Sequence, residues 1–384
     1  MSSLKYWLWL STRSGIGLVR VQALLEHFGT PGKIYQAQSR DYLDINGIKP
    51  EDIEQLKQKN LDTVNKIISS CAEIGCRIIT FQDSDYPDRL RNIYDPPLVL
   101  YVMGTLPHID DEPVVGVVGT RNCTPYGINA AESTGYKLSK SGIVVVTGLA
   151  RGIDTAASTG ALRGGRLTIG VIGSGLDIIY PPENAQLYTD VISSGAIISE
   201  YPPGTPAVKK NFPARNRIIS GISLGVAVIE APKKSGALIT ASRALEQGRD
   251  VFSLPGNVDA STCEGSNALL REGAIAFLSA DDIIEEYATL YSNKMNISKK
   301  LNQKSFDNTT KVDYIDLGKL LELLDGDEKS IVQAIGQGAM HIDEIVLETE
   351  LVAQRVLASL TMLELNGYVE RKNTGKWEIT QTNG

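Results

Sequence analysis

The chain has 384 residues, 42% of them hydrophobic, and its 38 lysines and arginines against 45 aspartates and glutamates leave a formal net charge of -7. That length predicts two or three domains with sizeable cores, and the acidic balance excludes a protein that coats nucleic acid through bulk charge, so any anion it binds must meet a local cationic patch. Four cysteines without a CxxC pair and three scattered histidines support neither a disulfide framework, a zinc knuckle nor a hydrolytic triad, and the thiols are expected free and buried.

The first residues, "MSSLKYWLWLSTRSG", have too short an apolar stretch for a signal peptide and no small-residue cleavage site, and no run long enough to span a bilayer follows. The expectation is a soluble cytoplasmic protein with no membrane attachment, and no metal, cofactor or catalytic group is assigned.

Residues 1–82 read as helical, with apolar residues at helix spacing in "GLVRVQALLEHFG", "PEDIEQLKQ" and "LDTVNKIISSCAEIG". A Gly-Ile-Gly turn precedes the first of these, and "INGIKPEDIEQL" repeats the pattern. The segment resembles a pair of helix-hairpin-helix units, a SAM-like arrangement, in which a glycine turn offers backbone N–H groups to a DNA phosphate without reading sequence. The alternative is a packing domain whose glycines only allow tight turns; Arg13, Arg20 and Lys49 are the nearest cations to the two turns.

From 83 to 290, eight apolar runs, "PLVLYVMG", "VVGVVG", "GIVVVTG", "LTIGVIG", "GAIISEY", "GVAVIEA", "RDVFSLPG" and "GAIAFLS", alternate with glycine turns and helical stretches. This is the pattern of an α/β domain with a parallel, Rossmann-like sheet. Ligands of such sheets bind beyond the carboxyl ends of the strands. Three turns fall there: Gly119-Thr120-Arg121, then Gly148 through Arg151 and Gly152 to Asp154, the expected helix N-cap, and Gly173-Ser174-Gly175. None spells GxGxxG and no GxxxxGK[ST] occurs, which argues against an NAD dehydrogenase and a P-loop ATPase. The glycines serve either close strand-to-helix packing or a phosphate-binding crevice, and Arg121 and Arg151 favour the crevice, unless they pair with Asp154 or Glu200.

Within the same segment, "VKKNFPARNRIISGIS" gathers Lys209, Lys210, Arg215 and Arg217 around Phe212 and Asn216. A helix is expected to start near Pro213, which places both arginines in its first turns, where cations oppose the helix dipole at a cost of a few tenths of a kcal/mol each. A bound anion removes that conflict. One phosphate does not need so many cations, whereas a polynucleotide backbone does, and Phe212 is placed to stack on a base, which single strands expose and duplexes hide. The alternative is a solvated loop with Phe212 folded onto the sheet edge.

Residues 291–313 lose apolar periodicity and read as a linker. Residues 314–384 then give three helices, in "DEKSIVQAIG", "HIDEIVLET" and "ELVAQRVLASLTMLELNGY", and a hairpin turning near Asn373 to Gly375: a winged helix. Its presumed recognition helix carries Arg355 as its single cation, with Glu348, Glu350 and Glu364 around it, so protein contact or regulation is expected of it.

"GTRNCTPYG", "TGLARGIDTAA", "GSGLDIIYPPEN", "SEYPPGTPAVKKNFPARNRIISGIS", "SGALITASRALEQGRDVFSLPGN" and "EGSNALLREGA" stand in the order and spacing of the DprA/Smf DNA-processing proteins, and the resemblance covers about residues 85 to 282. It implies an extended Rossmann-like core that binds single-stranded DNA, forms a homodimer and helps load the RecA recombinase during natural transformation, with no catalytic reaction. It places the family's DNA-contacting arginine on Arg121, its pocket lysine on Lys209, its stacking aromatic on Phe212 and its RNR arginines on Arg215 and Arg217. Two rivals remain. One is a nucleotide N-glycosidase on a related fold, whose GGxGTxxE motif is met here only by "SGALITASRALEQG", with Ser242 after Thr240 and Glu246 a turn later. The other is a scaffold acting through protein contacts.

Overall fold

A computed structural model describes residues 3–295, 321, 324, 326–336, 340–366, 368–371 and 376–379. The chain separates into two units, Met1–Gln303 and Lys304–Gly384. In the first, five helices lead: α1 (Leu4–Ser11), α2 (Leu18–Phe28), α3 (Pro31–Gln36), α4 (Pro50–Leu56) and α5 (Asp62–Glu73). Then β1 (Arg77–Thr80), α6 (Asp88–Arg91) and β2 (Val99–Gly104) open the sheet. The α/β succession follows as β3 (Val114–Val118), α7 (Pro125–Lys140), β4 (Val144–Thr147), α8 (Ile153–Gly164), β5 (Thr168–Val171), α9 (Ala185–Ser194) and β6 (Ala196–Ser199). It continues as α10 (Asn211–Ile222), β7 (Gly225–Val228), α11 (Gly236–Glu246), β8 (Asp250–Ser253), α12 (Glu264–Arg271), β9 (Ile275–Ala276) and α13 (Ala280–Ala288).

All eight apolar runs become strands, seven of them, β2 to β8, because a strand covered on both faces needs apolar residues at successive positions rather than alternating ones; the two residues of β9, at the sheet edge, are exposed. The sheet has nine strands in the order β1-β2-β6-β5-β4-β3-β7-β8-β9. From β6 to β9 every pairing is parallel, but β2 runs antiparallel to both β6 and β1. The expected parallel sheet is therefore mixed at one edge. β1 itself falls inside the stretch read as helical: "RIIT" follows α5 so closely that four residues cannot announce a change of period.

Along β3 the faces alternate. Val114 and Val118 join the core under α10 and α11, while Val115 and Val117 join the core under α7, α8 and α13. The N-terminal helices share a third core with the sheet, where Trp7, Trp9 and Leu24 cluster with Tyr101, Ile172 and Ile197. From β3 the chain first lays down β4, β5 and β6 on one side, then crosses to β7 and β8 on the other. That reversal opens a crevice at the carboxyl ends of β3 and β7.

Cys71 and Cys263 are buried and Cys76 and Cys123 half-buried, all as free thiols. Among the described residues no helix is long and apolar enough to cross a membrane. The second unit holds α14 (Gly326–Ile335), α15 (Ile342–Thr349), α16 (Ala353–Leu365) and the antiparallel pair β10 (Val369–Arg371) and β11 (Trp377–Ile379). Its core is built from Ile331, Val332, Ile345, Val356, Leu360, Leu363 and Trp377. Most of the expected linker, residues 296–313, and the expected turn at Asn373 to Gly375 lie outside the described residues.

Candidate nucleic-acid interface

The turn after β3 is held from below. Thr120 donates its backbone N–H to the Glu230 carbonyl at 2.7 Å. The Glu230 carboxylate, itself buried, accepts the Thr124 N–H (2.9 Å) and hydroxyl (2.5 Å), and the Thr124 hydroxyl caps α7 by accepting from Gly127 N (3.1 Å). A Cβ on Gly119 would stand 2.5 Å from Ile153 Cγ1, so only glycine lets this turn lie against α8.

The second turn is organised around Gly148. Asp154 Oδ2 accepts the N–H of Gly148 (3.0 Å) and of Ala150 (3.4 Å), and Arg215 Nη2 donates to the Gly148 carbonyl (3.0 Å). A Cβ on Gly148 would lie 1.7 Å from Arg215 Nη1. The helix cap is Gly152, at φ +76°, rather than the expected Asp154. Asp154 sits one residue inside α8 and spends its carboxylate on the preceding loop.

These turns and the first turns of α10 and α11 enclose a cavity of about 640 Å³. Its floor is made by the buried residues Val118, Asp154, Arg215, Ile219 and Thr240, and its rim carries the exposed Arg121, Asn122, Tyr180, Lys209 and Lys234. Burial pushes the Arg215 guanidinium down and the Asp154 carboxyl up, and each charge opposes the other's shift. Arg215 keeps its charge at neutral pH all the same. Its buried Nε has no hydrogen-bond partner among the described residues. Among those residues too, Arg121, Lys209 and Lys234 make no ion pair.

α10 starts at Asn211, two residues earlier than expected, so Phe212 belongs to its first turn and is half-buried. The Arg121 guanidinium lies 5.3 Å from the Phe212 ring centroid. The Tyr180 ring lies 5.5 Å away, tilted by 39°. Gly173 makes room for this pair, since a Cβ there would come within 3.3 Å of Phe212 Cδ1. Asn216 lines the cavity and ties α10 to α11 by donating to the Gly236 carbonyl at 3.2 Å.

Of the residues singled out from sequence, Gly119, Thr120, Arg121, Lys209, Phe212, Arg215 and Asn216 line the cavity, and Gly148 and Arg151 line a small notch beside it. The others do not. Lys210 is exposed at the start of α10, and Arg151, at the notch, is paired with Glu183. Gly152, Ser174 and Gly175 shape the turns: the Ser174 hydroxyl donates to Ile178 O at 3.1 Å, and a Cβ on Gly175 would meet Asp177 Oδ1 at 2.6 Å. Arg217 is committed elsewhere. Its guanidinium bonds both Glu200 oxygens (2.8 and 2.7 Å) and the Asp95 carbonyl (2.7 Å), with 13% of the side chain exposed. Burial pulls its pKa down, but Glu200 and Asp95 outweigh burial and hold it above its ordinary value.

Sequence reasoning missed Tyr180, Asn122 and the Lys234-Ser235-Gly236 corner. "KKSG" repeats the lysine pair before a helix start seen at Lys209-Lys210, and Ser235 caps α11 by accepting from Ala237 N (3.2 Å), so that signal was available. The glycosidase rival's carboxylate, Glu246, is exposed, bonded to Arg243 and outside the cavity.

Residues 77–288 match the family described as DNA recombination-mediator protein A, and residues 319–373 match the DprA winged helix domain. Protein Smf of Synechocystis is 35% identical over 387 residues, which span 96% of each chain. The X-ray structure of DprA from Streptococcus pneumoniae superposes with a TM-score of 0.66 at 35% identity, covering 74% of this chain and 99% of that one. DprA from Helicobacter pylori, described for its single-stranded DNA binding mode, gives a TM-score of 0.51 at 31% identity over 56% of this chain and 97% of that one. A family match across the whole sheet, a full-length relative and a shared fold leave one assignment: the chain belongs to the DprA/Smf family.

Proposed function

We propose that this protein binds single-stranded DNA in the crevice between β3 and β7, as a cytoplasmic homodimer, protects incoming strands and loads the RecA recombinase on them during natural transformation or recombination, without a chemical step of its own. The observation that carries the reading is the rim of the cavity, where three cations without ion-pair partners among the described residues, Arg121, Lys209 and Lys234, surround the Tyr180–Phe212 pair. Cations track a phosphate backbone whatever its sequence, and an aromatic face stacks on any unpaired base. A duplex offers its phosphates to the cations but hides the faces of its bases. The relative from Helicobacter pylori supports the same ligand.

The test is fluorescence anisotropy of a labelled oligothymidine and its duplex counterpart at several salt concentrations. The expected result is tight, salt-dependent binding of the single strand and weak binding of the duplex. Equal affinity for both, or none at low salt, would remove the proposal. Recombinase loading is tested separately, by whether the protein speeds RecA assembly on strands already coated with a single-strand binding protein.

A further inference from the structure

Arg215 is the deepest charge in the crevice. The residue is 4% exposed, its Nη2 donates to a neutral carbonyl at 3.0 Å, and its Nε is buried without a partner among the described residues. A guanidinium has five N–H donors in a rigid fork; Nε is sealed from any ligand, but of the two terminal nitrogens only Nη2 has a partner among the described residues, and Arg215 lines the cavity. Asp154 shares the floor, but its Oδ2 accepts from the Gly148 and Ala150 amides. The start of α11, Ser235 to Ala237, lines the same cavity. A Cβ on Gly236 would meet nothing within 4 Å, so the backbone there is open to a ligand. A helix N-terminus and an incompletely bonded arginine converge on one space, and both favour an anion.

We infer that the cavity floor is a phosphomonoester site. The terminal phosphate of a nucleotide, carried on a strand end or on a free nucleotide, rests on Arg215 and the Gly236 amide, the Ala237 N–H being held by the Ser235 hydroxyl, while its base reaches Phe212 and Tyr180. For strand ends this rests on the single-strand reading above. A phosphodiester within a strand has two oxygens committed to neighbouring sugars, and chain on both sides of it must return past the rim. A monoester brings three unesterified oxygens and a charge of about -1.5 to -2 at neutral pH, with one chain leading away. The cavity, about 640 Å³, falls in the range of roughly 300–1,000 Å³ typical of small-ligand pockets. It suits one end of a strand better than the middle of one.

The experiment uses the full chain and oligothymidines of a single length that carry a 5′-phosphate, a 3′-phosphate, hydroxyls at both ends, or no end because they are circular. Thymidine monophosphate serves as competitor. One of the phosphorylated ends should bind about tenfold tighter than the hydroxyl-ended and circular strands, as one added charge-assisted contact implies. Displacement by thymidine monophosphate would extend the site to free nucleotides, and lack of displacement would restrict it to strand ends. Arg215→Lys, which keeps the charge but loses the fork, should erase most of the end preference. Equal affinity of the wild-type protein for all four strands would overturn the inference and leave the single-strand reading standing. Binding of thymidine monophosphate with no strand binding would do the reverse, keeping the site and overturning the strand reading.

Discussion

The two arginines of "RNR" are expected to behave differently, and Arg217→Gln shows why. Arg217 holds Glu200 by two bonds of 2.8 and 2.7 Å, with 13% and 16% of the two side chains exposed. Removing the guanidinium leaves a nearly buried carboxylate at the end of β6 without its counter-charge, and it frees the Asp95 carbonyl. Breaking a buried pair from one side costs about 3–5 kcal/mol; because both groups still reach solvent, the low end, about 3 kcal/mol, is expected. Urea denaturation reads that loss. Strand binding, measured where the variant is still folded, should keep its salt dependence, since no phosphate contact is lost. Arg121→Gln is the contrasting case: stability should change by no more than about 0.5 kcal/mol, while the salt slope on a single strand becomes shallower by about 0.7. The reasoning fails if Arg217→Gln flattens the salt slope and leaves stability intact, for then Arg217 must leave Glu200 to meet the strand.

Gly148→Ala would set a Cβ 1.7 Å from Arg215 Nη1; expelling Arg215 strands Asp154, and denaturation should show a loss of about 3–5 kcal/mol, with an unchanged midpoint as the contrary result. Phe212→Ala and Tyr180→Ala should each weaken strand binding by about 1–3 kcal/mol with no change in salt slope; a flattened slope in anisotropy titrations would mean that the aromatic had been positioning a cation. Lys59 donates to the Tyr42 hydroxyl at 2.8 Å, within 4.8 to 5.4 Å of the Trp9, Tyr35 and Tyr42 ring centroids, and burial, with Arg13 nearby, pushes its pKa from 10.5 down to about 8. Between those values the unfolded chain binds more protons, so stability should rise with pH across that window. Comparison of wild type with Lys59→Met should show the rise vanish by roughly 1 kcal/mol, after allowance for solvent screening.

The strands were legible because a sheet covered on both faces writes each of them as an apolar run bounded by glycine. β1 was not, since four residues directly after a helix carry too little period. The crevice was legible where its residues stand at strand ends, as Arg121 does, or crowd one helix start, as Lys209, Phe212 and Arg215 do. Tyr180 was missed because nothing local tells a tyrosine in a proline-rich turn that it will meet Phe212, whose helix begins on the far side of β6. The pairing of Arg217 was missed for the converse reason. A cation in sequence carries no record of its counter-charge, and the Asp95 carboxylate, 3.3 Å from Arg217 Nε, lies 122 residues away.

The winged-helix unit has a surface that argues against duplex reading. On α16, Ala353, Gln354, Leu357, Ala358, Thr361 and Met362 are exposed, and the helix's one cation, Arg355, is paired to Asp327 through Nε (2.6 Å) and Nη2 (2.9 Å). A helix that enters a major groove needs cations for the flanking phosphates and polar side chains for the base edges. An apolar face with its arginine engaged supplies little of either. The cavity and its rim lie wholly within the first unit. A chain ending at residue 303 should therefore bind single strands with the affinity and salt slope of the full chain, and the full chain should bind duplex no better than the shortened one. Anisotropy titrations of both chains on both DNAs measure this directly. Duplex affinity that appears only with the second unit, and falls steeply with salt, would show that α16 meets phosphates despite its composition.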